Sequence, residues 1–336
     1  MKKTLVNSGY IGVDKSLFSE GTIVSGRTYN EVISSDSNFI PFNLPPRELI
    51  LIINTSLAGA TSATQFKIEV NSSTAVYSVE WGDGQKDLNI TNDITHTYAS
   101  SGIYQVKIIG NTHFNYVNSN DGDKIIEIKN FGFGFNFRSG LRAFRNCNNF
   151  DITSKTAPIF KSTTSFQEFF YGCTSLRGKT ANWKWDLTKA TTLRSLFFGC
   201  TNFDADLSDF NISEANGGGN ISLTNMLYNC TSFNNGGSPG IGNWDTSNVS
   251  SLSHTFFNTD SFNQPIGNWD TSNVTTFQSA FYQASAFNQN LGNWDTSNAT
   301  TFYRFFRQAS AFNNGGSDSI KNWDTSNVTT FYECFM

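Results

Sequence analysis

The chain has 336 residues, enough at roughly 100–200 residues per domain for two or three domains with real cores. Its 23 basic and 27 acidic side chains leave a net charge of −4, which gives the chain as a whole no basic field for nucleic acid or an anionic membrane surface. Phenylalanine is in excess, at 32 residues, while His96, His113 and His254 are too few and too scattered for a histidine-based metal site.

Residues 1–46 carry no motif. They contain short β-like pieces at 10–13 and 22–24 and close on Pro41, Pro45 and Pro46, a linker composition. This segment is too small to fold robustly alone and reads as an N-terminal anchor that docks on a partner or a symmetry mate. Met1, Lys2 and Lys3 lead into polar Asn7, Ser8 and Gly9 rather than the apolar centre of a signal peptide. The longest apolar run, residues 49–53, is far short of the ~20 residues that span a bilayer.

Residues 47–112 read as one domain, in which 66–110 alternate apolar and polar. Residues 48–54 predict a first strand, followed by Phe66, Ile68 and Val70, then Tyr77, Val79 and Trp81, then Tyr104, Val106 and Ile108. Short alternating strands between turn signals predict an antiparallel β-sandwich. Trp81-Gly82-Asp83-Gly84 is a tight-turn sequence, and His96-Thr97-Tyr98 leads through Gly102 and Tyr104 to Val106. This WGDG turn and H-T-Y-x-x-x-G-x-Y-x-V run resemble the PKD (polycystic kidney disease type) domain. The resemblance implies an extracellular spacer or adhesion module. Asp83 reads as a turn residue, with a structural Ca²⁺ beside it as the second reading, and His96 reads as a hydrogen-bonded strand residue.

Residues 113–137 read as a connector and cap. Ile125, Ile126 and Ile128 predict a first strand of the next region, and Phe131, Phe133 and Phe135 predict a cover for its open end.

From 138 to 336 the chain repeats. Asn243-Trp244-Asp245-Thr246-Ser247-Asn248-Val249 recurs at 268–274, 293–299 and 322–328, with Trp244, Trp269 and Trp294 spaced by 25. The longer step to Trp323 falls at a glycine-rich insert, Gly315-Gly316. A second pattern follows each first. Phe302, Phe305, Phe306, Ala309 and Phe312 have helical spacing, which predicts a short α-helix or 3₁₀ turn in each unit. Its equivalents reach back to Ala143 and give about seven units. One unit cannot bury its own rings, whereas stacked units can. The expected inner ladder is Phe170, Phe197, Leu227, Phe256, Phe281 and Phe306, with Cys147, Cys173, Cys200 and Cys230 in one small-residue column beside it. Because Thr259, Ala284 and Ala309 later replace cysteine, those four read as free buried thiols. No C-x-x-C pair marks a zinc site.

The string FNQPIGNWDTSNVTTFQSAFYQASAFNQ resembles the BspA-like leucine-rich-repeat surface proteins, with Phe277 and Phe302 where that family usually has methionine. The resemblance covers 138–336. It implies a leucine-rich-repeat-type solenoid and an adhesion role on a cell or virion surface, with no known reaction. The expected fold is therefore mainly β and multi-domain.

Three polar ladders accompany the tryptophans: Asp245, Asp270, Asp295 and Asp324; Thr246, Thr271, Thr296 and Thr325; and the asparagines from Asn248 to Asn327. They read as turn chemistry, or as a regular face for glycans in which Trp244, Trp269, Trp294 and Trp323 stack on sugar rings and the Asp and Thr side chains bond hydroxyls. The Asn-x-Ser/Thr sequons here follow from the repeat.

PKD- and BspA-like modules work outside cells, yet no export signal is visible. A phage particle resolves this, which predicts a non-enzymatic virion surface protein, a capsid decoration or tail fibre. Residues 1–46 would bind capsid or tail proteins, and the rest would reach a host surface protein or glycan. A bacterial cell-surface adhesin is the alternative. A polysaccharide-degrading enzyme comes third, because the carboxylates are ladder members rather than a distinct pair. No cofactor, nucleic acid or membrane insertion is expected. The last unit breaks off at Phe335-Met336 and exposes a rung that a further unit, another subunit of a homo-oligomer, or a contact would cover.

Overall fold

The computed structural model describes residues 47–70, 75–116, 120–162 and 164–336. The expected anchor over 1–46 lies outside the described residues. The described fold is mainly β. Contacts separate the chain at Pro46 and keep Arg47–Met336 as one unit.

The alternating segments form strands. β1 (Leu49–Asn54), β3 (Val76–Glu80), β4 (Lys86–Ile90) and β6 (Ile103–Thr112) make an antiparallel group in the order β4-β3-β6-β1. In register, Leu51 faces Val106 and Val79 faces Ile108. β2 (Gln65–Ile68) and β5 (Ile94–Thr97) form a separate antiparallel pair. Phe66, Ile68, Tyr77, Val79, Trp81, Val106 and Ile108 are buried in one core. The Trp81-to-Gly84 turn is closed by the Trp81 N–H donating to Gln85 O at 3.0 Å. Gly82 has φ +87°, and a Cβ there would lie 2.6 Å from Gln105 O, so the turn admits only glycine at that position.

The sheet does not stop at residue 112. β7 (Ile125–Asn130) pairs antiparallel with β1 and parallel with β9 (Asp151–Ile152), and β8 (Phe135–Phe137) pairs parallel with β6. Phe114 lies 5.6 Å from Phe135 and 5.8 Å from Phe144, so rings cover the first repeat unit. One sheet thus runs from the alternating segment into the repeats.

A buried ion pair fixes the loop before β2. Lys124 and Asp121 both have 0% exposure. The three N–H bonds of Lys124 Nζ are shared among the carbonyls of Thr61, Ser62 and Gln65, at 2.9, 2.7 and 2.8 Å, and Thr61 Oγ1 at 2.8 Å. Asp121 Oδ1 lies 3.8 Å from that ammonium and accepts the Thr61 N–H at 2.9 Å. Its Oδ2 accepts from Thr61 Oγ1 and the Lys67 N–H, each at 2.7 Å. Burial holds the Lys124 ammonium below its ordinary value, against the pull of Asp121.

In the repeats the expected helices are replaced by tandem turns. The N–H of Ala280 donates to Phe277 O at 3.0 Å and that of Ala284 to Phe281 O at 3.1 Å, closing two four-residue turns. Their third residues, Ser279 and Gln283, have φ +52° and +58°, the sign that a type II turn requires there. The alternate donors leave the unit: the N–H groups of Ser279, Phe281 and Gln283 bond Tyr303, Phe305 and Arg307 carbonyls of the next unit, each at 2.9 Å. A helix would consume every N–H internally and leave the units unbonded to one another. Units meet again at parallel bridges that join Ser251, Thr276, Thr301 and Thr330, and at the parallel pair β10 (Ile221–Ser222) and β11 (Val249–Ser251).

The inner ladder stacks as a row. Phe256 and Phe281 lie 5.2 Å apart and Phe281 and Phe306 5.5 Å apart, with ring planes within 6°. Phe170 and Phe197 repeat this at 5.8 Å, and Leu227 is buried in the same core.

Candidate functional site

The tryptophans belong to the interior. Trp244, Trp269 and Trp294 are 7%, 2% and 3% exposed. Trp244 stacks on Trp269 at 5.8 Å and Trp269 on Trp294 at 6.4 Å. Each indole N–H donates to a carbonyl of the preceding unit: Trp244 to Leu207, Trp269 to Ile241, Trp294 to Ile266 and Trp323 to Leu291, at 2.9–3.0 Å. With faces covered and N–H groups bonded, Trp244, Trp269 and Trp294 are not the sugar platform that the sequence suggested, whereas Trp323, in the last unit, is half-buried and borders a cleft. The correction has a plain cause: a large ring gains more from a dry ladder than from water.

The threonine ladder is corrected in the same way. Thr246, Thr271 and Thr296 are buried, and their hydroxyls donate to the carbonyls of Asp270, Asp295 and Asp324 in the following unit at 2.8–2.9 Å. Thr325, in the last unit, is exposed. The aspartates are exposed but serve turns: Oδ1 of Asp245, Asp270, Asp295 and Asp324 accepts the N–H of the serine two residues on, at 2.9–3.1 Å. The hydrogen bonds from Ser247 hold the Asp245 carboxyl below its usual range. Asn273, Asn298 and Asn327 donate to Ser247, Ser272 and Ser297 carbonyls of the preceding unit, each at 2.7 Å.

The cysteine column is internal. Cys147, Cys173, Cys200 and Cys230 are buried free thiols. The last three donate to Phe144, Phe170 and Phe197 carbonyls at 2.9, 3.0 and 3.0 Å. Thr259 takes the same place and donates to Leu227 O at 3.3 Å, whereas Ala284 and Ala309 fill it without a donor, so the column selects for small size and the bond to the preceding unit is made only where Cys or Thr is present.

Asp83 has both oxygens engaged, Oδ1 by the Gln85 N–H at 2.9 Å and Oδ2 by His96 Nε2 at 2.8 Å. His96 stacks on Trp81 at 4.7 Å. Among the described residues no group of three or more His, Cys, Asp or Glu side chains is placed to hold a metal ion. Asp83 thus closes its own turn through Oδ1 and ties that turn to His96 of β5 through Oδ2.

What the sequence reading missed is an outer stripe. The residue after each inner ring points away from the core, and in five consecutive units it is aromatic: Tyr171, Phe198, Tyr228, Phe257 and Tyr282, all half-buried. Neighbouring rings stack at 4.5, 4.4, 4.2 and 4.5 Å with planes within 7°. Arginines close both ends, with the Arg145 guanidinium 4.5 Å from the Tyr171 ring and that of Arg307 5.5 Å from Tyr282. The signal was available: one column beside the phenylalanines holds a ring in unit after unit.

Each end also carries one glutamate. Glu168 accepts from Arg142 Nε at 2.9 Å and from Arg145 at 2.7 Å, and Glu333 accepts from Arg304 Nε at 2.8 Å with Arg307 at 3.1 Å. Burial pushes the Glu168 carboxyl up, but the Gln167 hydrogen bond and the two guanidinium groups outweigh it, so it titrates below its ordinary 4.5. A carboxyl depressed in the folded chain adds stability that is present above its unfolded value and is lost as pH falls through the folded one. Thermal melts are expected to show stability falling as pH drops below about 4.5, with a shallower fall in Glu168→Gln. An unchanged acid slope in that variant would mean that the pairing is absent in solution.

A cleft of about 550 Å³ lies among Phe302, Phe312, Trp323 and Phe331 in the last two units. Phe331 and Phe335 are exposed there. Among the described residues no helix is long and apolar enough to cross a membrane.

Two overlapping stretches, residues 140–239 and 221–336, match the family model described as "Mycoplasma protein of unknown function, DUF285". No curated protein and no solved structure matches the chain.

Proposed function

Because the chain belongs to the DUF285 family, whose function is unknown, we propose a role for it from its geometry: a non-enzymatic adhesion scaffold on a surface. The reading takes residues 138–336 as a leucine-rich-repeat-type solenoid of about seven units, similar to the BspA-like surface proteins. Residues 47–112 are read as a PKD-like β-sandwich that supports it. One observation carries the reading. The repeated Trp, Thr, Asn and Cys side chains are spent on bonds to adjacent units, while one outer column repeats aromatic rings without core packing to account for them.

The favoured setting is a phage particle, with residues 1–46 attached to capsid or tail proteins and the repeats turned to the host surface. A bacterial cell-surface adhesin is the second reading, and the family's description as a Mycoplasma protein favours it.

Two measurements test this. Fluorescently labelled full-length chain should bind host cells saturably and be competed by unlabelled chain. Mass spectrometry should find the chain in purified virions on the first reading, or in the fraction that protease shaves from intact cells on the second. Absence from both fractions, together with non-saturable binding, would overturn the proposal.

A further inference from the structure

Stacked rings hide their faces from solvent and present their edges, and the edge of an aromatic ring is its electropositive rim. In the outer stripe each interior ring has a neighbour on both faces, so edges are what a ligand meets. Charge is segregated on the same surface. The tandem turns of all units contain five arginines, Arg142, Arg145, Arg194, Arg304 and Arg307, against two glutamates, Glu168 and Glu333. The rest of the chain has eighteen basic against twenty-five acidic side chains, so the turn surface carries +3 and the remainder −7. Arg194 is exposed and belongs to the unit that contributes Phe198, the second ring of the stripe. Amide side chains run alongside, and Asn258 Nδ2 donates to Asn229 Oδ1 at 3.0 Å.

We infer that this outer stripe binds an acidic polysaccharide, with arginines and ring edges taking its carboxylates and amides and tyrosine hydroxyls taking its sugar hydroxyls. The inference rests on the adhesion reading above and names its ligand class. A net +3 spread over the turns from Arg142 to Glu333 is too sparse for the dense phosphate row of nucleic acid, whose binders make about 6–10 phosphate contacts. It suits a chain whose charges are spaced by neutral sugars. Arginine suits carboxylate because its planar fork bonds both oxygens.

The test uses the full chain on immobilised hyaluronan, on neutral dextran and on oligo-dT. Wild type is expected to bind hyaluronan in a salt-sensitive way, with little retention on dextran or oligo-dT. The triple variant Arg145→Gln, Arg194→Gln, Arg307→Gln is expected to bind at least about tenfold more weakly with an unchanged circular dichroism spectrum, and the triple Arg→Lys variant to recover part of the loss. No wild-type retention on hyaluronan overturns the inference. So does equal retention on dextran, preference for oligo-dT, or a folded glutamine variant that binds like wild type. If that glutamine variant still adheres to host cells, adhesion stands and the anionic ligand falls. If wild type binds neither hyaluronan nor cells, both readings fall.

Discussion

Replacing Lys124 with methionine is expected to destabilise the fold by about 3–5 kcal/mol, the usual loss when one partner of a buried ion pair is removed. The ammonium is fully buried, and it holds three carbonyls and a hydroxyl together while neutralising Asp121. Methionine fills a similar volume but supplies no donor, so the Thr61, Ser62 and Gln65 carbonyls and the Asp121 charge are left buried without it. Because Asp121 also bonds the N–H groups of Thr61 and Lys67, the damage should spread to the start of β2. Urea unfolding of Lys124→Met measures the loss, and hydrogen exchange at residues 61–68 locates it. Replacing Asp121 as well, with leucine, should recover part of the stability, since the uncompensated charge is then gone. A single-variant loss below about 1 kcal/mol would show that the cage is not formed in solution.

Phe281→Ala is expected to cost about 3–5 kcal/mol, the range for emptying a buried phenylalanine site. Phe281 is fully buried between Phe256 and Phe306 and lies 4.1 Å from Phe287, so truncation removes contacts on both faces and leaves a hole that bonded turns cannot close. Repeat arrays are stabilised by nearest-neighbour contacts, so exchange protection should fall most in the units on either side of 281. Phe257→Ala, one column outward, serves as the control because its ring is half exposed. If the two variants lost equal stability in urea, the inner rings would not share an interior.

The repeat was legible because burial acts on columns. Phe256, Phe281 and Phe306 recur with the period of the backbone, and period is what sequence displays. The strands around Tyr77, Val79, Val106 and Ile108 were legible for the same reason at a period of two. The tandem turns were misread as helix because two turns in succession also place apolar residues three and four apart. The discriminating signal lay at the third position of the second turn, where Asn146, Gly172, Gly199, Asn229 and Asn258 have positive φ and are residue types that tolerate it, whereas Ser195, His254 and Ser279 in the first turn share the φ without that signature. Helical reasoning looks at the apolar residues and passes over them. Trp269 was ambiguous because an aromatic beside Asp and Thr fits a core or a binding face equally well in one dimension. The Lys124 cage was invisible, because its partners lie about sixty residues away and share no period with it.

The alternating donors have a genetic consequence. Each unit sends N–H groups from every second turn residue to the next unit and receives the matching set from the one before. Removing or duplicating one whole period of twenty-five codons therefore reunites complementary edges, and the protein grows or shrinks in register. Deleting a single codon within a tandem turn exchanges the two donor sets and turns rings outward. Recombination between near-identical copies such as 268–274 and 293–299 can thus change the number of units while keeping the bonded edges matched.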